Sequence, residues 1–161
     1  MLEIEPSLIA EALSEYEPSG MRQRIKEVNG ITVIEDCYNA SPDSQRAALN
    51  ALCSLKATRK IAVLGDMLEL GDYSQTAHSE IGSYAAEKNV DLLYTYGEES
   101  KALANSAIAG GVKALAFTDK TALFNALKDE LKPSDAVLFK ASRGMKLEDV
   151  INMLYEEWTD K

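Results

Sequence analysis

Short apolar runs alternate with longer amphipathic segments from residue 31 to the end of the chain. Apolar runs of four to six residues are typical of strands buried on both faces, and the segments between them place apolar residues at helical spacing. The pattern predicts parallel strands joined by right-handed crossover helices, with helices on both faces of the sheet. The predicted strands are 31–35, 60–64, 91–96, 114–118 and 136–140, and the predicted helices begin at residue 42 or span 74–89, 98–109, 120–131 and 147–158.

An antiparallel hairpin opens the predicted sheet. Two β-prone runs, 22–28 and 31–35, are joined by Asn29 and Gly30. This dipeptide tolerates positive φ and is typical of the tight turn of a hairpin. The sequence therefore predicts an α/β, Rossmann-like and mostly parallel sheet of about six strands, with an antiparallel strand at its N-terminal edge.

A domain boundary is predicted near the start of the chain. Residues 7–16 have the spacing of a short amphipathic helix, and the breaker cluster at 17–20, Glu-Pro-Ser-Gly, interrupts regular structure after it. We therefore expect residues 1–16 to belong to a preceding domain. Residues 17–161 are expected to form one domain, which suits a chain of 161 residues that is 46% hydrophobic.

Composition narrows the classes of partner. A formal net charge of -9 at pH 7 argues against binding to nucleic acid or to an anionic membrane, because both need clustered Lys and Arg. No apolar run approaches the length of a membrane span, and the first residues lack the pattern of a signal peptide, so a cytoplasmic protein is expected. Cys37 and Cys53 have neither metal-binding nor redox spacing and are expected to be reduced thiols.

Three polar loops follow strands that should end at the same edge of the sheet, which is where open α/β sheets bind ligands. We call them the rim loops, and they are residues 36–44, 65–72 and 141–146. In the first, Asp36 could bind ribose hydroxyls or a cation, Tyr38 could stack on a flat ring, and Asn39 could both donate and accept hydrogen bonds. The competing interpretation is that Asp36 and Asn39 only stabilise the turn between strand and helix.

The other two rim loops leave similar alternatives open. Met67, Leu68 and Leu70 either fold back on the core or face a partner surface. Ser142 and Arg143 precede a predicted helix, where they could hold a carboxylate or a phosphate. They could equally form a capped turn whose side chains are solvated.

Arg22 and His78 are isolated candidates. Arg22 lies just past the breaker cluster, after Met21, and could clamp a phosphate across an interdomain cleft, although most lone arginines are solvated surface residues. His78 is the sole histidine, and a surface or packing role is expected for it rather than proton transfer. The sequence contains no phosphate loop, no dinucleotide-binding fingerprint, no His or Cys cluster for a metal and no nucleophile turn. It therefore has ligand-binding loops without the machinery for nucleotide-driven chemistry.

Four segments, in this order, resemble those of the Mur ligases. They are Ser-Gly-Met-Arg at 19–22, Asp-Cys-Tyr-Asn-Ala-Ser-Pro-Asp-Ser at 36–44, Gly-Asp-Met-Leu-Glu-Leu-Gly at 65–71 followed by His78, and Lys-Ala-Ser-Arg-Gly-Met-Lys at 140–146. From residue 17 onward the chain is similar to the C-terminal domain of that family. The second and third segments most resemble its dipeptide-adding branch.

The resemblance implies an enzyme of three domains. A UDP-sugar-binding domain and a central ATPase domain would precede this one, and residues 1–16 would be the last helix of the ATPase domain. It also implies an amide-bond ligase that uses ATP and Mg to form an acyl phosphate, which the amine of D-alanyl-D-alanine then attacks. The chain on its own is expected to be inactive and to hold no cofactor tightly.

The resemblance also implies roles for residues that match the family segments. Arg22 would be catalytic, since it would reach the ATP phosphates and stabilise charge during transfer. Asp36 would orient the nucleotide through its ribose, with Tyr38 and Asn39 beside the adenine. The residues expected near the incoming dipeptide are Asp66, Met67, Ser142 and Arg143. No metal ligand is assigned.

The chain departs from the family pattern at two positions, and two alternative functions remain open. Ala141 stands where the family commonly has glycine, which adds a Cβ to a turn, and Ser41 stands where asparagine is frequent, which should matter little if it caps a helix. One alternative is a stand-alone Rossmann-like module that binds a nucleotide or a partner. The other is the equivalent domain of another ligase of the superfamily, such as a folylpolyglutamate synthetase or a cyanophycin synthetase.

Overall fold

A six-stranded sheet forms the centre of the computed structural model, which describes residues 23–159. The first two strands pair antiparallel and every other neighbouring pair is parallel. The strands are β1 (Arg24–Val28), β2 (Ile31–Asp36), β3 (Arg59–Gly65), β4 (Leu92–Tyr96), β5 (Lys113–Phe117) and β6 (Asp135–Lys140), in the spatial order β1-β2-β6-β3-β4-β5. The predicted fold class is confirmed.

The hairpin between β1 and β2 forms at the predicted dipeptide. Asn29 and Gly30 both have positive φ, 54° and 72°, as the tight turn requires. Val28 pairs with Ile31 next to the turn, and Arg24 pairs with Glu35 at the far end of the hairpin. The antiparallel edge therefore brings the chain into the sheet beside the carboxyl end of β2.

Helices cover both faces of the sheet. They are α1 (Pro42–Ser54), α2 (Ser74–Glu87), α3 (Ser100–Ala109), α4 (Lys120–Glu130) and α5 (Glu148–Thr159). Buried residues of α1 to α3 share one apolar core with Ala62 and Leu64 of β3, whereas those of α4 and α5 share a second core with Ile61 and Val63. The connections from β2 through β5 run one way across the sheet and the connection to β6 runs back, so right-handed crossovers place α4 on the opposite face.

Helix and strand ends lie within three residues of the predicted ones. The largest differences have local causes. α2 ends at Glu87, before Asn89, whose φ of 55° is incompatible with a continuing helix. α3 begins at Ser100, because Gly97, with φ of 121°, still belongs to the preceding turn.

An ionic network joins the amino-terminal ends of β3 and β6, at the end of the sheet opposite the rim loops. Arg59 at the start of β3 donates to both carboxylate oxygens of Asp135 at the start of β6, over 2.9 and 2.6 Å, and also pairs with Glu130. Asp135 is buried, so the network satisfies a carboxylate that would otherwise be costly there. The charged groups at this end of the sheet therefore stabilise the fold, and the candidate ligand-binding groups lie at the carboxyl ends of the strands.

Several predictions from the first residues fall outside 23–159, namely the helix at 7–16, the boundary at 17–20 and the position of Arg22. Within residues 23–159, no helix has both the length and the apolar composition needed to cross a membrane.

Candidate functional site at the carboxyl edge of the sheet

The three rim loops emerge side by side. β6 lies between β2 and β3 in the sheet, so the loops that follow these three strands are neighbours. The chain leaves β2 and β3 toward the face that carries α1 and α2, and leaves β6 toward the face that carries α5. Adjacent strands whose connections leave toward opposite faces open a crevice at their carboxyl ends. The predicted convergence of the rim loops is confirmed.

A buried ion pair joins the ends of β2 and β6, from which the first and third rim loops start. Asp36 and Lys140 are register partners at the ends of β2 and β6. Lys140 Nζ donates to Asp36 Oδ2 over 2.7 Å and to the backbone oxygen of Asn39 over 2.8 Å. From the sequence alone, Lys140 was assigned no role of its own. The signal available was a charged residue that directly ends an apolar strand.

The first rim loop also caps the start of α1. Ser41 Oγ accepts from the backbone N–H of Ser44 over 3.3 Å, and Ser44 Oγ accepts from that of Ser41 over 2.9 Å. This reciprocal capping confirms the predicted capping role of Ser41. Asn39 Oδ1 accepts from the N–H of Ala40 over 2.9 Å, so part of this side chain stabilises the turn. Tyr38 is 38% exposed and presents its ring at the rim.

In the second rim loop the first two side chains have structural partners. Asp66 Oδ1 accepts from the backbone N–H of Ser100 over 2.7 Å, which caps the start of α3. Met67 is buried in the core beneath α1 to α3. Contact of Asp66 or Met67 with a substrate stays a prediction. Of the two apolar residues that follow, Leu70 packs on the core as predicted, whereas Leu68 is 41% exposed. Contact of Leu68 with a partner surface stays a prediction.

His78 anchors the second rim loop through a hydrogen bond to its backbone. Its ring is fully buried, and Nε2 accepts from the backbone N–H of Met67 over 3.0 Å. Nδ1 lies 2.8 Å from the backbone oxygen of Ser74, to which it must donate because a carbonyl only accepts. This arrangement requires the neutral Nδ1–H tautomer. His78 thus has the packing role that was one of its two predicted roles.

The third rim loop is hydrogen-bonded to the second. Ser142 Oγ accepts from the backbone N–H of Leu68 over 2.9 Å, and the N–H of Ser142 donates to the backbone oxygen of Asp66 over 3.1 Å. Arg143 is exposed, and its guanidinium carbon lies 5.3 Å from the centre of the Tyr38 ring, a cation–π distance. The rim therefore presents a carboxylate, an aromatic ring and a cation close together.

Ala141, the departure from the family pattern, is accommodated by a glycine on the neighbouring strand. A Cβ added to Gly65 would lie 2.7 Å from the Cβ of Ala141, well inside contact distance. The side chain that Ala141 contributes to the turn thus occupies space that Gly65 leaves empty.

Cys37, directly after Asp36, is expected to be unreactive. Burial raises the pKa of its thiol, the charges of Glu148 and Asp36 raise it further, and burial also raises the pKa of the Cys53 thiol. Because the thiolate is the reactive form, raised pKa values keep both groups protonated and slow at neutral pH. We expect iodoacetamide at pH 8 to leave Cys37 unmodified in the native protein and to label Cys53 slowly. Peptide mass spectrometry should show both labelled in urea, and rapid native labelling of Cys37 would contradict this.

Comparison with known proteins identifies the family of the chain. A family model described as Mur ligase, glutamate ligase domain, matches residues 21–143. The UDP-N-acetylmuramoyl-tripeptide--D-alanyl-D-alanine ligase of Bacillus subtilis is 41% identical over 157 residues, which cover 95% of this chain and 34% of that ligase. The ligase of the same name from Haemophilus influenzae is 38% identical over 139 residues, covering 83% of this chain and 29% of its own length.

Solved structures show the same fold. A MurF from Acinetobacter baumannii superposes with a TM-score of 0.82 and 28% identity, covering 95% of this chain and 34% of that one. A MurF ligase from Thermotoga maritima, solved in complex with ADP, gives a TM-score of 0.77 with 26% identity and covers 95% of this chain and 36% of that one.

The chain spans about a third of the length of the curated relatives it matches, 34% for the ligase of Bacillus subtilis. The family model, by contrast, covers well over half of this chain. The chain therefore belongs to the Mur ligase family, in which it corresponds to the glutamate ligase domain.

Proposed function

We propose that residues 17–161 are the C-terminal domain of an ATP-dependent ligase that adds D-alanyl-D-alanine to a UDP-N-acetylmuramoyl-tripeptide. The observation that carries this proposal is 41% identity, over 95% of the chain, to a ligase of that name from Bacillus subtilis. The partners in the same polypeptide would be a central ATPase domain, with residues 1–16 as its last helix, and a UDP-sugar-binding domain. Neither alternative function is favoured, because the curated relatives named here are dipeptide ligases.

The first rim loop is proposed to face the nucleotide. A nucleotide offers a flat base and ribose hydroxyls, and the first rim loop presents an exposed Tyr38 ring and the Asp36 carboxylate. Asn39 would lie beside the base through the part of its amide that the turn leaves available, and Arg22 would reach the phosphates. The Thermotoga maritima MurF, solved with ADP, supports a nucleotide in ligases of this kind.

The second and third rim loops are proposed to face the dipeptide. The Arg143 guanidinium could pair with the dipeptide carboxylate, and the Ser142 hydroxyl, which accepts from Leu68, still has its own hydrogen to donate. Asp66 and Met67 would contribute through the loop they begin. Among residues 23–159 there is no group of three or more His, Cys, Asp or Glu side chains that could hold a metal, so no Mg ligand is assigned to this chain.

ATP with Mg would supply the activated phosphoryl group, and the ligase would use it to convert the tripeptide carboxylate into an acyl phosphate. The residues of this chain would then orient the nucleotide and hold the dipeptide so that its amine reaches the activated carbonyl. Positioning and charge stabilisation of this kind account for most of the catalysis in phosphoryl transfer. Since the rim is only one wall of such a site, the chain alone should be inactive.

The test is a ligation assay on the full-length protein and on the isolated chain. We expect the full-length protein to form the pentapeptide product from ATP, UDP-N-acetylmuramoyl-tripeptide and D-alanyl-D-alanine, with ADP released. Glutamate and folylmonoglutamate serve as competing substrates, and preference for either would support another branch of the superfamily. The isolated chain should neither ligate nor hydrolyse ATP, and ATPase activity of the clean chain would contradict its proposed role as one wall of a shared site.

A further inference from the structure

The pair between Asp36 and Lys140 is the one ion pair in the described part of the rim whose two side chains are both largely buried. Lys140 is 2% exposed, although it carries a charge at the end of a strand. Its ammonium group donates to Asp36 Oδ2 over 2.7 Å and to the Asn39 carbonyl over 2.8 Å. The sequence separation to Asp36 is 104 residues, so the pair joins the ends of two strands that are distant in sequence.

The two members of the pair have different access to a ligand. The Lys140 side chain is 2% exposed and cannot contact a molecule in the crevice, whereas the Asp36 side chain is 10% exposed. Among residues 23–159, the hydrogen bonds of the Asp36 carboxylate run through Oδ2. This geometry leaves Oδ1 as the oxygen that Asp36 can offer to a hydroxyl.

The pair is better explained by orientation than by stability. A buried ion pair contributes little more to stability than apolar residues of similar size, because desolvation offsets most of the attraction. It does, however, hold its members in one geometry. Lys140 binds the first and last residues of the segment 36–39, through the Asp36 carboxylate and the Asn39 carbonyl, and so fixes the short segment that presents the Tyr38 ring.

We infer that Lys140 is a positioning residue for the nucleotide, which acts by holding Asp36 and the turn through Asn39 in the orientation that receives ribose and base. This inference rests on the proposed function. Lys140 touches no substrate in this role, and its effect on ligation passes through Asp36. It should therefore affect the binding of ATP and leave the binding of D-alanyl-D-alanine unchanged.

The experiment is a double-mutant cycle in the full-length ligase, with Lys140→Met, Asp36→Asn and the double variant. We expect each single change to raise KM for ATP about tenfold and to change KM for D-alanyl-D-alanine less than about twofold. The double variant should resemble Asp36→Asn within about twofold, because residues that act as a unit have non-additive effects. Lys128→Met is the matched control, since Lys128 forms an ion pair of 3.6 Å with Glu157 near the C-terminal ends of α4 and α5, which lie away from the rim.

Different results overturn different claims. If Asp36→Asn raises KM for ATP and Lys140→Met does not, the role of Lys140 is wrong and the proposed function is unaffected. If Asp36→Asn itself leaves KM for ATP unchanged, the proposed nucleotide contact of Asp36 is wrong. A merely structural role of Lys140 would lower the melting temperature while changing both KM values equally, or neither.

Lys140→Arg keeps the test decisive if Lys140→Met does not fold. The guanidinium preserves the charge next to Asp36, so KM for ATP should rise less than in Asp36→Asn, again without a change in KM for the dipeptide. An equal rise in both KM values for Lys140→Arg would overturn the inference.

Discussion

Full-length ligase carrying Arg22→Ala is expected to lose about a thousandfold in kcat, because an arginine that stabilises charge in phosphoryl transfer contributes roughly that much or more. The path of the chain supports this expectation. β1 runs antiparallel to β2 and its first residue, Arg24, pairs with Glu35, one residue before Asp36. The chain therefore enters the sheet at the rim edge, directly before the strand that begins at Arg24.

Arg24→Ala is the matched control for Arg22→Ala. The Arg24 side chain is 47% exposed, and its distance of 4.0 Å to Glu35 is that of a weak ion pair. Without Arg24, Glu35 would keep its 2.7 Å ion pair with Lys26 and would still accept from the Tyr155 hydroxyl over 2.6 Å. Removal of the Arg24 side chain should change kcat by less than about twofold. Steady-state kinetics at saturating ATP and dipeptide separate the two variants. Equal losses for both would mean that Arg22 acts only through the charge of this strand, and an unchanged Arg22→Ala enzyme would remove its catalytic role.

Local sequence signals were sufficient for the elements of this fold. Asn29 and Gly30 predicted the hairpin because few other dipeptides tolerate positive φ at both positions. Ser41 and Pro42 predicted the start of α1 for two reasons. A serine hydroxyl accepts from the free N–H groups of the first turn, and proline lacks the N–H that would have no partner within the helix at that position. Both signals lie within a few residues of the structure they determine.

The contacts between side chains at the rim could not be predicted from local sequence signals. The contact between Lys140 and Asp36 depends on β6 inserting between β2 and β3, a fact of topology that no local pattern encodes. The contact of Asp66 with Ser100 depends likewise on where α3 begins. Met67 and Leu68 are adjacent and similarly apolar, yet one is buried and the other exposed, because only the fold decides which of them faces the core.

Gly97→Ala is expected to lower the free energy of unfolding by about 3 kcal/mol or more, because two costs add. The backbone has a φ of 121°, which alanine rarely adopts, and an added Cβ would lie 2.3 Å from three carboxyl atoms of Asp66. The carboxylate cannot move aside cheaply. It is buried and accepts from the N–H of Ser100 over 2.7 Å, so its displacement would leave the start of α3 uncapped. Urea unfolding followed by circular dichroism measures the loss.

Gly111→Ala separates the two costs. Gly111 has a φ of 92° but no atom within 4 Å of an added Cβ, so only the backbone cost of about 1 kcal/mol should remain. A loss for Gly97→Ala no larger than that would contradict the close packing of Asp66 on the turn. In the double variant Gly97→Ala with Asp66→Ala, the loss should be smaller than the sum of the single losses, since the clash is removed together with the cap.

The same carboxylate decides between two roles for Asp66 in the full-length ligase. If Asp66 contacts the dipeptide, Asp66→Asn should raise KM for D-alanyl-D-alanine. If it only caps α3, KM for the dipeptide should stay unchanged, because the amide oxygen of asparagine can still accept from Ser100 and keep the second rim loop in place. The two outcomes are exclusive for KM, so one titration of the dipeptide assigns Asp66 either to the wall of the site or to the scaffold that supports it.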